Sequence, residues 1–327
     1  MKEKIEYGDF YVLGWNAVPE EMQVDFLCYL DYFTVSGINE LEKRLTTQFE
    51  LKSLPQRTAD DILEGILACS PKELDKKRRE NNGKNYYVCN AVCLLEVVKR
   101  IFDRKLYDAL NAPNTPEIVL HNYRHILKWI LMDSEELCNQ YANYILGDTK
   151  YRSNIDSRYI HYMPVHQVLR QTLFGQVSYN SFADMEISAS IAVIRQLIEL
   201  RIRRAFGALS YMDKDSGGLI PLELSKLFDC IKKHKGEISF PLKIENIERI
   251  YKWSNMYVHS GKCELSWIPY YVEAILKELS FGQKTGNSWD AKNGISTSVE
   301  VIRQIHNELL EGHPKYEIFA CKPECVT

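Results

Sequence analysis

The amino-acid sequence predicts an all-α chain, with a short α/β appendage at its C-terminal end. Three observations carry that expectation. Apolar residues recur at steps of three and four through most of the chain. Helix-start residues stand just ahead of those runs. Turn-forming Asn, Pro and Gly clusters divide them into segments of helical length. At 327 residues, 45% hydrophobic and 26% charged, the chain has enough apolar material for a full core. Its length fits two domains, or one large domain with an addition.

The first predicted helix is "PEEMQVDFLCYLDYF", Pro19–Phe33, where a proline and two glutamates form the opening turn. "INELEKRLTTQFEL" and "TADDILEGILACS" follow, the second behind a Thr-Ala-Asp-Asp cluster that reads as a cap. "PKELDKKRRENNGK" is a charged helix end running into an Asn-Asn-Gly loop; its basic residues have the composition of a solvated face. Asn85–Leu110 reads as a long amphipathic or buried helix, closed by "NAPNTPE", and Ile118–Leu146 as one or two more. Residues 1–150 therefore form a helical region in which no motif is interpretable. A polar connector follows, including Arg158, His161, His166 and Arg170 around Pro164.

Residues 151–283 comprise that connector and a four-to-five-helix bundle. Ile187, Ile191, Ile194, Ile198, Ile202, Ala205 and Leu209 make one helix face. Val193, Leu197 and Leu200 make a second strip, so this helix is expected between neighbours. Arg195, Glu199 and Arg203 fall at i, i+4, i+8 as an ion-pair ladder. "MDKDSGGLIP" reads as a loop. "PLELSKLFDCIKKHKG", "PLKIENIERIYKWSNMYVHSG" and "SWIPYYVEAILKELSFG" read as the remaining helices. Residues 284–327 give a polar linker, the helix "TSVEVIRQIHNELLEG" and the strand "YEIFAC", so strands are expected only at the chain ends.

A net charge of −3 provides no global field toward nucleic acid or an anionic surface. No apolar run approaches the roughly 18 residues of a spanning helix. Glu3, Glu6 and Asp9 interrupt any export core near residue 1. The nine cysteines, an odd number scattered among helical segments, fit thiols in a reducing compartment. A cytoplasmic protein without membrane association is expected. There is no Gly-rich phosphate loop, G-x-S-x-G or H-E-x-x-H, and no cofactor is expected. Cys89 and Cys93 lack further ligands nearby. His306, His313, Cys321 and Cys325 are spaced more widely than the usual zinc knuckles, so neither group points to a metal.

The stretch that looks like chemistry is "YKWSNMYVHSG", Tyr251–Gly261. On a helix, Lys252, Asn255 and His259 share a polar stripe, while Ile244, Ile247, Ile250 or Tyr251, Ser254 and Val258 form the packed face. Imidazole can move a proton near neutral pH, and Asn and Lys can orient a phosphate. The plainer reading is that His259 caps helix carbonyls ahead of Gly261.

Ser181–Gly282 resembles the HEPN domain (higher eukaryotes and prokaryotes nucleotide-binding). "SIAVIRQLIELRIRRAFG" follows that family's S-I-A-x-x-R-x-x-I-E helix, and Ser254-Asn255-x-x-x-His259 follows its Arg-Asn-x-x-x-His motif. The resemblance implies a helical bundle that dimerises and, in active members, cleaves RNA without metal. His would carry the proton and Arg would hold the phosphate. Here Ser254 stands in the Arg place, and a hydroxyl offers neither the charge nor the forked donors of a guanidinium. The resemblance therefore implies a nuclease-degenerate binding or interaction protein, a homodimer with an RNA or protein partner, in a setting such as antiphage defence or toxin–antitoxin regulation. Two readings stay beside it. One is a metal-independent ribonuclease using His259 with Lys252 or Arg195; the other is a helical scaffold with no nucleic-acid role.

Overall fold

The computed structural model describes residues 37–79, 83–102, 130, 132–148, 150, 169, 189–262, 264–281, 283–285, 288–290 and 294–326. The predicted helix Pro19–Phe33, the turn "NAPNTPE" and the cluster Arg158, His161, His166 and Arg170 lie outside them. The described chain is mostly helical, with a small antiparallel sheet. None of its helices is long and apolar enough to cross a membrane. It divides into two compact units, Met1–Ser190 with Tyr257–Tyr271, and Ile191–Met256 with Val272–Thr327.

In the first unit, α1 (Ile38–Gln48) buries Ile38, Leu41 and Leu45, the three-and-four spacing of one face. α2 (Ala59–Ile66) begins with a reciprocal capping box. Thr58 accepts from the Asp61 backbone amide, and the Asp61 carboxylate accepts from the Thr58 amide. α3 (Pro71–Arg79) is capped by Ser70, whose hydroxyl accepts from Glu73 N at 3.2 Å. α4 (Gly83–Phe102) is buried on nearly all sides, from Tyr86 and Tyr87 through Ala91 and Leu94 to Val97 and Val98. A Cβ on Gly65 would stand 2.5 Å from the Cys89 sulfur, so glycine is what lets α2 lie this close to α4. Residues 132–144 are helical and bring Tyr141 to Phe49 and Tyr87, with ring centroids 4.7 and 5.3 Å away.

The second unit starts with α5 (Ser190–Phe206), which buries Ile191, Ile194, Ile198, Ile202, Ala205 and Phe206. Two expectations about this helix are corrected. Val193 and Leu200 are 60% and 52% exposed, so the second apolar strip faces solvent rather than a neighbour. Leu209 is not helical, because Gly207 takes a positive φ of 68° and stops the helix. The chain then turns into β1 (Ala208–Asp213) and β2 (Leu219–Ile220), a hairpin where a loop was predicted. Asp213 closes its tip by accepting from Ser216 N and Oγ.

α6 (Leu224–Lys233) buries Leu224, Leu227, Phe228 and Ile231. α7 (Ile244–Ser260) and α8 (Trp267–Phe281) follow, then the short hairpin β3 (Gln283–Thr285) and β4 (Ser288–Asp290). α9 (Val299–Leu310) is capped by Ser298. The predicted C-terminal strand is present as β5 (Tyr316–Ala320). It pairs antiparallel with β1, Tyr211 opposite Ile318, giving the order β2-β1-β5.

Beyond β5 the tail laces onto α5. Cys321, Glu324 and Cys325 donate backbone N–H groups to the carbonyls of Gly207, Arg204 and Ala205 at 3.1, 3.2 and 3.3 Å. They satisfy acceptors that a helix end leaves free. The buried Arg201 side chain donates to Glu324 Oε2 and to the Leu279 carbonyl, each at 2.8 Å.

Candidate functional site

The residues singled out in the sequence lie on α7 and α5. Along α7, burial selects Ile244, Ile247, Ile250, Trp253, Ser254 and Tyr257. Trp253 and Tyr257 thus take packed positions, and Val258, expected there, is 37% exposed. The shift follows from the helical repeat: 250, 253, 254 and 257 are neighbours on one surface, and the two large rings occupy it.

Ser254 belongs to that buried surface. It is 0% exposed, and its hydroxyl donates to the Tyr251 carbonyl one turn back at 2.7 Å. Lys252, Asn255 and His259 lie on the other side, with Lys252 and His259 exposed and Asn255 partly so. Lys252 is drawn away from His259. Its Nζ stands 2.7 Å from Glu248 Oε1, one turn toward the helix start. Glu248 also takes Lys232 at 3.0 Å, which makes a Lys-Glu-Lys chain. Seven residues separate Lys252 from His259, a rise of about 10 Å along the helix axis. The tether and that rise keep the ammonium out of hydrogen-bond reach of the imidazole.

Arg195 does not join the predicted ladder. Glu199 pairs with Arg203 at 2.9 Å, while Arg195 places its guanidinium carbon 5.7 Å from the Tyr251 ring centroid. Tyr251 leans in turn on Phe228, 6.0 Å between centroids. The Arg195 Nε and the Asn255 amide oxygen are buried without a hydrogen-bond partner among the described residues. Among the described residues no carboxylate pairs with Arg195, which is seated on an aromatic face.

The structure therefore joins Arg195 to Tyr251, and Lys252 to Glu248 and Lys232. It sets Ser254 on the opposite side of α7 from the polar stripe. The tail residues considered as metal ligands have other roles. His306 Nε2 donates to the Phe206 carbonyl at 2.8 Å, and His313 stacks on Tyr316. The Cys325 thiol donates to the Ala205 carbonyl at 2.8 Å, and burial pushes its pKa up to about 11. Among the described residues no group of three or more His, Cys, Asp or Glu is placed to hold a metal ion.

One constellation escaped sequence reasoning. The first unit buries Arg78, Tyr86, Asn90, Asp133, Gln140, Tyr257, Glu264 and Ser266. Asn90 sits at its centre, donating to the Tyr86 carbonyl at 3.0 Å and accepting from Trp267 Nε1 at 3.1 Å. Ser266 N donates to Asp133 Oδ2 at 2.6 Å. Burial raises the pKa of Tyr257 well above the ordinary phenol value, and the Glu264 carboxylate pushes it the same way. The signal available was Asn90, a lone amide inside the apolar run of α4. Asn90 and Asp133 tie chain segments together, whereas the Gln140 amide and the Ser266 hydroxyl are buried with no hydrogen-bond partner among the described residues.

Comparison of the chain with protein-family models, curated proteins and solved structures finds no match.

Proposed function

We propose that this chain is a HEPN-like binding protein without nuclease activity, acting on RNA or a protein partner as a homodimer. The observation that carries the reading is the placement of Ser254. The position where the motif asks for a guanidinium is fully buried and holds a hydroxyl turned back onto its own helix. Lys252, the nearest substitute, is already paired with Glu248. His259 is thus left without a cation from its own helix, and loss of such a group typically lowers rate about 10²–10⁴-fold.

Arg195 supports binding as opposed to cleavage. Its guanidinium has no carboxylate partner among the described residues and lies over an aromatic ring, a surface suited to a phosphate or a carboxylate. The exposed Val193 and Leu200 on the same helix support self-association. The test is incubation of purified protein with single-stranded RNA in chelator. No cleavage is expected, with or without His259→Ala, and Arg195→Gln should weaken RNA retention severalfold. Sedimentation should show a dimer that Val193→Glu dissociates. Robust chelator-resistant cleavage that disappears in His259→Ala would overturn the reading in favour of a ribonuclease. No RNA retention and a monomeric sedimentation coefficient would leave the scaffold reading.

A further inference from the structure

A cleft in the first unit is built from the α1 surface, the loop leading into α2 and the side of α4. Its volume is about 350 Å³. Small-molecule sites span roughly 300–1,000 Å³, so this one is of a size for a small metabolite rather than a dinucleotide. Leu95, 4% exposed, gives it an apolar wall with Val92, and Leu54 and Pro55 line it from the loop. Gln56 and four charged side chains, Glu42, Arg57, Glu96 and Lys99, complete the lining.

Their pairing decides what the cleft can accept. Glu96 is opposed by Arg100 at 3.6 Å and is already neutralised. Arg57 donates to the Asn85 amide oxygen at 3.1 Å, a contact that steadies the guanidinium without cancelling its charge. Glu42 and Lys99 make no ion pair among the described residues. Both line the same space, and an anion and a cation left unpaired there must stand farther apart than direct contact. A ligand that bridges them carries an ammonium for Glu42 and a carboxylate for Lys99 and Arg57. Its remaining bulk must suit an apolar wall.

We propose that the cleft binds a free α-amino acid with an apolar side chain, held by its two backbone charges. Charge-assisted hydrogen bonds at both ends make recognition depend on the zwitterion, since either half alone leaves one protein charge facing no partner. Leu54, Val92 and Leu95 offer no polar group to distinguish among aliphatic and aromatic residues, so discrimination between leucine and phenylalanine is modest. None of these residues belongs to the α5–α7 site, so the two readings fail independently.

The test is calorimetric titration of the full chain with L-leucine and L-phenylalanine, beside isocaproate and isoamylamine, leucine analogues that lack the ammonium and the carboxylate respectively. Saturable binding of the amino acids is expected, with either single-charge analogue at least about tenfold weaker. Glu42→Gln and Lys99→Gln should each weaken L-leucine by a similar factor. Both sites are on the surface, and an unchanged melting temperature without ligand verifies folding. Absence of heat with both amino acids at tens of millimolar would overturn the proposal. So would binding that Glu42→Gln and Lys99→Gln leave unchanged.

Discussion

The long helices α4 and α5 look alike as sequence and behave differently in the fold. Both carry apolar residues on more than one side. α4 buries them all round and takes Asn90 inside with them, whereas α5 buries one face and leaves Val193 and Leu200 in solvent. The same contrast holds between the two units. The first brings Arg78, Asp133, Gln140 and Glu264 into its interior, while the second keeps most of its charges in edge pairs such as Lys233–Glu308. Its buried exceptions are Arg201 and Glu248, each met by opposite charge. Apolar content sets how much can be buried; the partners a segment finds decide which residues are.

Ser254→Arg puts that contrast to the harshest test. Arg201 is tolerated in the second unit because Glu324 and the Leu279 carbonyl receive it. A guanidinium at 254 would enter a fully buried position built around a hydroxyl. Urea denaturation should show a loss of about 4 kcal/mol or failure to fold, from overpacking and an unmet charge. A variant as stable as the parent, with RNase activity, would show instead that the helix can rotate its motif outward.

Glu324→Ala comes next. It strips Arg201 of its carboxylate. Breaking a buried pair typically costs 3–5 kcal/mol; Glu324 is about one-third exposed, so about 2–3 kcal/mol is expected. Glu324→Gln should recover part of it, and no change in the denaturation midpoint would mean the tail is ornamental. In the first unit, Asn90→Ala removes a donor and an acceptor together and leaves the Trp267 indole N–H without its acceptor. A loss of about 2 kcal/mol follows, visible as a lower melting temperature. A neutral result would show that the buried polar groups of the first unit are replaceable by apolar packing.

The smallest effect concerns His234, which links α6 to α9. Its Nε2 is 2.8 Å from Glu308 and its Nδ1 3.2 Å from Glu237. Burial lowers its pKa, but hydrogen bonds donated by the ring to Glu308 and Glu237 outweigh that and raise it above the ordinary value. A raised folded pKa means the stabilisation is complete below the unfolded value near pH 6.5 and fades as pH climbs through the folded one. Lys233 also holds Glu308 and persists across that range, which limits the change. Melting temperatures from about pH 6 to 8 should fall in the parent and fall less in His234→Gln. Parallel curves would rule out the linkage.

What the sequence determined by itself is what short-range geometry controls. The three-and-four spacing of Ile38, Leu41 and Leu45, the Thr58–Asp61 cap and the repeat from Ile191 to Ala205 each lie within a few turns of chain, and each appeared as read. The strand near residue 318 was legible for the same reason. The Glu248–Lys252 pair, one turn apart, was equally legible. Tertiary structure alone decided the rest. β1 is a strand because β5, about a hundred residues on, supplies its hydrogen bonds. Arg201 is buried because Glu324 meets it across 123 residues, and Asn90 because Trp267 meets it across 177. The spacing places Ser254 on the packed face and it is buried there, but packing decided its company: Trp253 and Tyr257 share that surface and Val258 does not. Burial of a polar group depends on a partner that sequence proximity does not reveal.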